Sequence, residues 1–401
     1  MKDEGGSVGA TEAAKANDML SRRGAYGATV LTLALSAGLQ LAIYRHGGHT
    51  ALGDIPGRFF AWRLRPGVFP YVDRNVEYPV VIGYLAYVTA LVGRTAASFF
   101  ALTALLNAAA VLLITRLLYS RAGSRITRWA LGLPVLLYAF HNWDAIALVT
   151  AVLGVRAYDS GSDARAGAWL GLGFATKIFP GLLVPPFVVQ RWCAGDRRGA
   201  IRIAFGAAVV TIAVNLPAMI ASPTGWAYPA RFQGRRHATW GSLVSWVTSP
   251  PWGGWTVGAP SAAANLIAGV ALAMGLVGVC FLAVRRDLSA PAIGAVALGV
   301  FLLTNKVYSP NYDLWLVPFF VLLPARRRLW VAFCAVDFAM FFVVFGRIHG
   351  LLDRNFAADM VPYVVFLRAL VVIAFIVFAA AGTSASRRRH PEVAPVSVHH
   401  G

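Results

Sequence analysis

Acidic residues are scarce in this chain: 17 Asp and Glu stand against 36 Lys and Arg, and charged residues of both signs make up only 13% of its 401 positions. So little charge excludes an ordinary soluble domain, in which about a quarter of the residues are charged. Cysteine is rare too. Cys193, Cys280 and Cys334 lie far apart, in or beside apolar segments, and form no disulfide or metal-binding pattern. There is no Gly-x-x-x-x-Gly-Lys-Ser/Thr loop to cradle ATP and no His-Glu-x-x-His helix to hold zinc. Nor is there a polar stretch long enough to form a separate nucleotide-binding domain.

What the chain has in abundance is apolar surface. Hydrophobic residues make up 58% of it and its mean hydropathy is +0.63. Runs near the length needed to cross a bilayer recur at 25–44, 78–92, 96–118, 128–140, 143–157, 166–189, 200–219, 262–284, 290–305, 311–324, 329–346 and 360–381. Backbone in lipid must satisfy its own hydrogen bonds, and the dyad alternation of a barrel is missing. The expected fold is therefore all-α and polytopic, with about 12 transmembrane helices or half-helices. One membrane domain at 25–382 lies between tails at 1–24 and 383–401, and no cleavable signal peptide is evident. The net charge of +19 does not indicate nucleic acid, because the basic residues sit in short loops between apolar runs.

Arginine clusters assign sides by the positive-inside rule. Arg22 and Arg23, Arg197 and Arg198, Arg285 and Arg286, Arg326 to Arg328, and Arg387 to Arg389 read as cytoplasmic. The segments 220–261, 305–311 and 347–358 then lie outside, and the membrane expected is the plasma membrane. The middle admits two arrangements. Twelve plain spans place Arg121, Arg125 and Arg128 outside. Breaking 166–189 at Lys177-Ile178-Phe179-Pro180, with 78–92 re-entrant, returns those arginines to the cytoplasm. The short runs 128–140 and 143–157 favour the second, since about 13 residues cover only about 20 Å.

Polar residues at membrane depth are costly and seldom idle. The loop from Asp54 to Pro79 holds Asp54, Asp73 and Glu77 among Arg58, Arg63, Arg65 and Arg74, with Phe59, Phe60, Trp62, Phe69 and Tyr71 between them. Lys177 is either a lysine snorkelling to an interface or a cation holding phosphate at a cavity rim that Pro180 opens. Lys306 lies with Asn305, Tyr308, Ser309, Asn311, Tyr312 and Asp313, more hydrogen-bonding groups than a plain helix boundary needs. Asn142 and Asp144 either cap the next helix or join the site, with His141 as a third polar partner. In the long loop 220–261, tryptophans 226, 240, 246, 252 and 255 suit an interfacial belt. Arg231, Arg235, Arg236 and His237 run against the charge rule there and suit an anionic headgroup. An enzyme with chemistry outside and no nucleotide fold needs a donor activated within the membrane, and a sugar on polyprenyl phosphate is one.

Asp54…Pro70-Tyr71-x-Asp73…Glu77-Tyr78-Pro79 resembles the first external loop of glycosyltransferase family 87, membrane mannosyltransferases of the GT-C superfamily. Asn142-x-Asp144, Ala175-Thr176-Lys177-Ile178-Phe179-Pro180 and Asn305-Lys306-Val307-Tyr308-Ser309-Pro310 follow in the family's order, so the resemblance spans about residues 50–320. The chain departs from the family at Val80, where a second proline is usual, and at Phe59 or Phe60, where a tyrosine is frequent. The resemblance implies an inverting transfer from polyprenyl-phosphate-mannose to a lipid or glycan acceptor. No clear metal cage is visible in the sequence and neither metal nor cofactor is expected, although Asp54, Asp73 and Glu77 are of the type that can hold a divalent ion. Asp54 matches the catalytic aspartate. A carboxylate there can take the acceptor's proton, and fixed cations stabilise the departing phosphate. Lys306, Lys177, Arg235 and Arg236 are the expected phosphate ligands. Asp73, Glu77, Asn142, Asp144, Asn305 and Tyr308 are the expected substrate-binding residues. An arabinofuranosyl donor is the nearest variant. A secondary transporter, a flippase or a scaffold is the rival class, although the charged first loop has no counterpart in the second half, as a repeat-built transporter would show.

Overall fold

A computed structural model describes residues 20–47, 54–248, 261–348 and 352–381. Most of the N-terminal tail, the C-terminal tail with Arg387 to Arg389, and Trp252 and Trp255 lie outside the described residues. Those described are helical, with only two isolated bridges, Arg65 with Val68 and Pro70 with Arg74. We number the principal helices α1 (Arg22–Gly47), α2 (Asp54–Trp62), α3 (Val80–Val92), α4 (Ala96–Ala122), α5 (Leu133–Tyr138), α6 (Asp144–Asp159), α7 (Asp163–Thr176) and α8 (Val184–Cys193). The second half holds α9 (Arg197–Ala221), α10 (Tyr228–Arg235), α11 (Ser261–Arg285), α12 (Ala290–Thr304), α13 (Val317–Leu322), α14 (Arg327–Ile348) and α15 (Arg354–Ala381).

Among the described residues, six helices are long and apolar enough to cross a membrane: Arg22–Ile43, Ala96–Ala130, Arg197–Ala221, Ala262–Arg285, Arg327–Gly346 and Asn355–Ala381. Their outward faces are apolar, as in Phe205, Val209, Ile212, Leu216 and Ile220 of α9, which are exposed at helical spacing. Other expected spans are shorter or broken, and in 128–140, 166–189 and 311–324 proline is the reason. It lacks the donor and clashes with the preceding turn. Pro134 restarts the chain as the six-residue α5. Pro180 opens a 3₁₀ turn, Phe179–Leu183, after α7 has ended at Thr176, and Lys177 between them is extended (φ −150°, ψ 141°). Pro310 and Pro318 divide 311–324 into a 3₁₀ helix, Pro310–Leu316, and the short α13. The break expected at Lys177–Pro180 is present.

Basic clusters gather at one end of the bundle. Arg125 Nε donates to the Val321 carbonyl (2.8 Å), and Arg128 donates to the carbonyls of Phe320 (2.8 Å) and Ala325 (2.7 Å), beside Arg326 to Arg328. Gln190 donates to Ala283 and Leu288, next to Arg285 and Arg286, and Arg191 pairs with Asp163 at 3.0 Å. Arg125 and Arg128 thus share an end with the clusters read as cytoplasmic, as the arrangement with the broken helix requires. Both ends of α3 lie on the other side. Tyr78, just before it, meets Asp54; Gly93, just after it, packs on Phe99, whose ring lies 5.5 Å from Phe59 of α2. Helix α3 thus has both ends packed near α2 and the start of α4, away from the basic clusters at the other end of α4.

Backbone proximity fixes the middle of the bundle. A Cβ at Gly167 of α7 would come within 2.0 Å of the Ile203 carbonyl oxygen, and one at Gly171 within 2.4 Å of the Ala207 oxygen. The Gly-x-x-x-Gly spacing lets α7 and α9 touch backbone to backbone. That contact carries Lys177, at the end of α7, into the interior.

Candidate functional site

Helix α2 begins at Asp54, whose backbone N–H donates to the His141 carbonyl at 3.1 Å. This bond brings the first loop onto the turn that precedes α6. The Asp54 carboxylate accepts from the Tyr78 hydroxyl at 2.5 Å and from Arg58 at 3.4 Å. Arg58 also pairs with Glu77, which accepts from Trp62 Nε1 at 2.7 Å. With 36% of its side chain exposed, Asp54 is held without being sealed. Burial pushes its carboxyl up, but the charges of Arg58 and His141, the Tyr78 hydrogen bond and Lys177 outweigh this and hold it below the ordinary carboxylate value.

Tyr71 explains why the loop presents Tyr78 in this way. Its buried ring carries a hydroxyl 2.8 Å from the Tyr78 carbonyl and 2.9 Å from that of Pro79. Gly83 leaves room for that ring, since a Cβ there would meet the Tyr71 hydroxyl oxygen at 2.2 Å. Tyr71 itself adopts a left-handed backbone (φ 68°), which costs roughly 1–3 kcal/mol and must be offset by these contacts. Asp73 stands apart from this network. It is exposed and accepts from the Phe69 N–H at 2.8 Å, closing the turn well away from Asp54's partners.

Beside Asp54 lies a buried ionic cluster. Lys177 pairs with Asp144 and donates to Asn142 Oδ1 at 3.2 Å; Asn311 Nδ2 donates to the other Asp144 oxygen at 2.6 Å. Asn142 Oδ1 also accepts the Asp144 N–H (2.9 Å) within the turn before α6, whose N-cap is Trp143 with no side-chain cap bond, so the capping expected of Asn142 or Asp144 is replaced by this local turn and the Lys177 contact. Asn107 of α4 donates to the Asn142 carbonyl at 2.8 Å. It lies about 16 Å along α4 from Ala96, so the cluster sits deep within the span. The Lys177 ammonium also faces the rings of Tyr78 (5.5 Å), Trp315 (5.8 Å) and Tyr312 (5.9 Å). Lys177 is therefore a neutralised, caged cation, neither snorkelling nor unopposed.

Lys306 stands elsewhere. Its ammonium donates to the carbonyls of Gln233 (2.6 Å) and Arg236 (2.5 Å) at the end of α10, a helix C-terminus that favours a cation. Burial and the neighbouring Arg236 charge both push its ammonium below the usual lysine value. Among the described residues no carboxylate pairs with Lys306 or Arg236, and the Arg236 charge acts on the Tyr312 hydroxyl beside the Lys177 cage. Arg235 is exposed at the end of α10. Asn305 accepts the Val307 N–H at 3.3 Å and so shapes its own turn. Tyr308 points away from Asp54: its hydroxyl bonds Asp313, and the Arg368 guanidinium lies 3.4 Å over its ring.

Sequence reasoning missed Asp337 and Arg368, which lie within the apolar α14 and α15 and are buried against Asp313. A lone charge inside an apolar run was the signal that pointed to them. Fold and site together define an all-α protein with helices fit to cross a membrane and a charged cluster at mid-helix depth. In comparison with known proteins, no family model and no curated protein matches the chain.

Proposed function

We propose that the protein is a membrane glycosyltransferase that moves a sugar, mannose by the motifs it carries, from polyprenyl phosphate to a lipid- or glycan-linked acceptor, with inversion and on the outer face of the plasma membrane. The observation that carries this reading is Asp54: a carboxylate pinned by Tyr78 and Arg58 yet partly open, while Lys306 and Arg236 have no carboxylate opposing them among the described residues. In the reaction an acceptor hydroxyl attacks the anomeric carbon while Asp54 takes its proton. The bond from that carbon to the phosphate oxygen breaks, and its electron pair leaves on the lipid phosphate. A phosphate diester becomes a monoester and gains charge, so unopposed cations favour the transition state over the bound donor. Lys306 and Arg236 suit that role, with Arg235 behind them. Lys177 is committed to Asp144, and its part is to hold Asp144, Asn311 and the Tyr78 ring in place. Asn142, Asp144 and Glu77 then form the wall against which substrate sits.

The broken helix with a buried ion pair also favours a second reading, a secondary transporter, since such breaks line transport sites. One assay separates them. Purified protein in detergent, with no gradient, is incubated with radiolabelled polyprenyl-phosphate-mannose and total lipids. A labelled product that disappears in Asp54→Asn supports transfer. Failure to consume any polyprenyl-phosphate sugar sinks it.

A further inference from the structure

The 3₁₀ helix Pro310–Leu316 repeats every three residues, so its side chains divide among three faces. One face carries Asn311 to Asp144. A second stacks Tyr312 on Trp315, three residues on, with ring centroids 4.1 Å apart beside Lys177. The third carries Asp313 away from the Asp54 site into a fully buried group. There the Tyr308 hydroxyl donates to Asp313 Oδ1, Arg368 NH1 lies 3.7 Å from Asp313 Oδ2, and Tyr138 donates to Asp337 Oδ1 at 2.8 Å. Asp313 and Asp337 lie within hydrogen-bonding reach of each other. The Oδ2 atoms of both are buried without a hydrogen-bond partner.

Two carboxylates facing one guanidinium leave a net negative charge at mid-helix depth, where an uncompensated charge is heavily penalised. A single proton between the carboxyls removes that charge and gives both orphaned oxygens a partner. Arg368 does a second thing. Its NH2 donates to the Gly241 carbonyl (2.6 Å) and the Tyr308 carbonyl (3.1 Å), tying together the two segments that follow Arg236 and Lys306. Thr239 completes the tie: its N–H donates to the Lys306 carbonyl at 2.8 Å, and its hydroxyl accepts the Tyr308 N–H at 3.1 Å.

We propose that Arg368, Asp313 and Asp337 form a buried positioning clamp, closed by one proton shared between the two carboxyls, that holds segment 305–316 so that Asn311 meets Asp144 and Lys306 meets the end of α10. None of the three touches substrate; they act through the segment. The catalytic consequence rests on the sugar-transfer reading, but the clamp does not.

Infrared spectroscopy of the purified protein at neutral pH should show a protonated-carboxyl band that is lost in both Asp337→Asn and Asp313→Asn, because one carboxylate beside Arg368 needs no proton. Absence of the band, or its survival in both variants, overturns the shared proton. Hydrogen exchange in Arg368→Gln should quicken in 237–242 and 305–316 and stay unchanged in 96–122, whereas a merely structural loss would quicken all three. Unchanged exchange in the two tied segments, or equal quickening everywhere, overturns the clamp. With the labelled donor, Arg368→Gln should lower turnover about a hundredfold, the usual effect of misplacing reacting groups by about 1 Å, and Arg368→Lys should recover part of it. Full turnover in Arg368→Gln overturns the positioning role. If wild-type protein turns over no donor, the function fails while the infrared and exchange results still decide the clamp.

Discussion

Two buried ionic clusters stand on either side of one short 3₁₀ helix, and they solve the cost of internal charge in opposite ways. Around Asp144 every charged atom is matched: Lys177 on one oxygen, Asn311 on the other, and Asn142 sharing the ammonium. Around Arg368, two carboxyls compete for one guanidinium and atoms are left over. The first cluster borders a carboxylate that keeps partial exposure, Asp54; the second is sealed. A matched pair beside a partly exposed carboxylate can hold its neighbours still. A sealed group with unmatched atoms, closed in our proposal by a shared proton, suits fastening.

The largest effect that sharpens this contrast belongs to Asp54. Asp54→Asn keeps a partner for Tyr78 but removes the proposed base, and on that reading turnover should fall about a hundred- to ten-thousand-fold with the protein still folded. Because the Asp54 carboxyl is held below its ordinary value, it stays ionised across neutral pH. Wild-type turnover should therefore lose its base only as pH falls below the usual carboxylate range. An acid limb near pH 6 in the rate profile would assign the base to another group.

Next comes the matched pair. Asp144→Asn strands Lys177 and should destabilise the protein by about 3–5 kcal/mol, the usual result of removing one partner from a buried pair. Asp337→Asn substitutes for a carboxyl that can hold the shared proton, and should cost less than about 1.5 kcal/mol, a single hydrogen-bond difference. Thermal unfolding of both variants in one detergent compares them, and equal losses would erase the distinction between the clusters.

If Lys306 holds the leaving phosphate as proposed, Lys306→Ala should lower turnover roughly a hundredfold by removing one electrostatic contact, and Lys306→Arg should do less. Burial and Arg236 depress the Lys306 ammonium, so its charge, and the activity that needs it, is lost as pH rises at a lower pH than for ordinary lysine. Lys306→Arg should push that alkaline limb upward; a limb that stays put would free Lys306 from the role. The smallest effect is expected at Asp73, exposed and bonded only to its own turn. Asp73→Asn should change stability by within about 0.5 kcal/mol, as remote surface substitutions do, and leave turnover near wild type. Glu77→Gln should fall between, since it loosens Arg58 from Asp54's side.

How legible was this in the chain? The break at Lys177–Pro180 was readable because proline acts locally, through a missing donor and a clash with one preceding turn. So was the gathering of Asp54, Asn142, Asp144 and Lys177, because charge inside apolar sequence is costly enough to announce itself. Asp337 and Arg368 follow the same rule yet drew no attention, each lying alone in a span with its partner on another helix. The runs 128–140 and 311–324 read as spans because hydropathy does not register a proline near a helix start. Lys306 and Tyr308, adjacent but for one residue, were grouped together. The backbone sends one to α10 and the other to Arg368.

By itself, then, the sequence determined that this chain is helical and apolar enough for a membrane, that one of its helices breaks at Lys177–Pro180, and that most of its arginine clusters lie in short loops between apolar runs. These depend on composition, on period, and on what each residue does to its own turn. Only the tertiary structure decided that Lys177 is spoken for by Asp144, that Lys306 and Arg236 have no opposing carboxylate among the described residues, and that Asp313 faces Arg368 while Asn311, two residues away, faces Asp144. The reason is that a side chain's charge is set by partners brought from other helices. A segment turning every three residues sends neighbours in sequence to different partners in space.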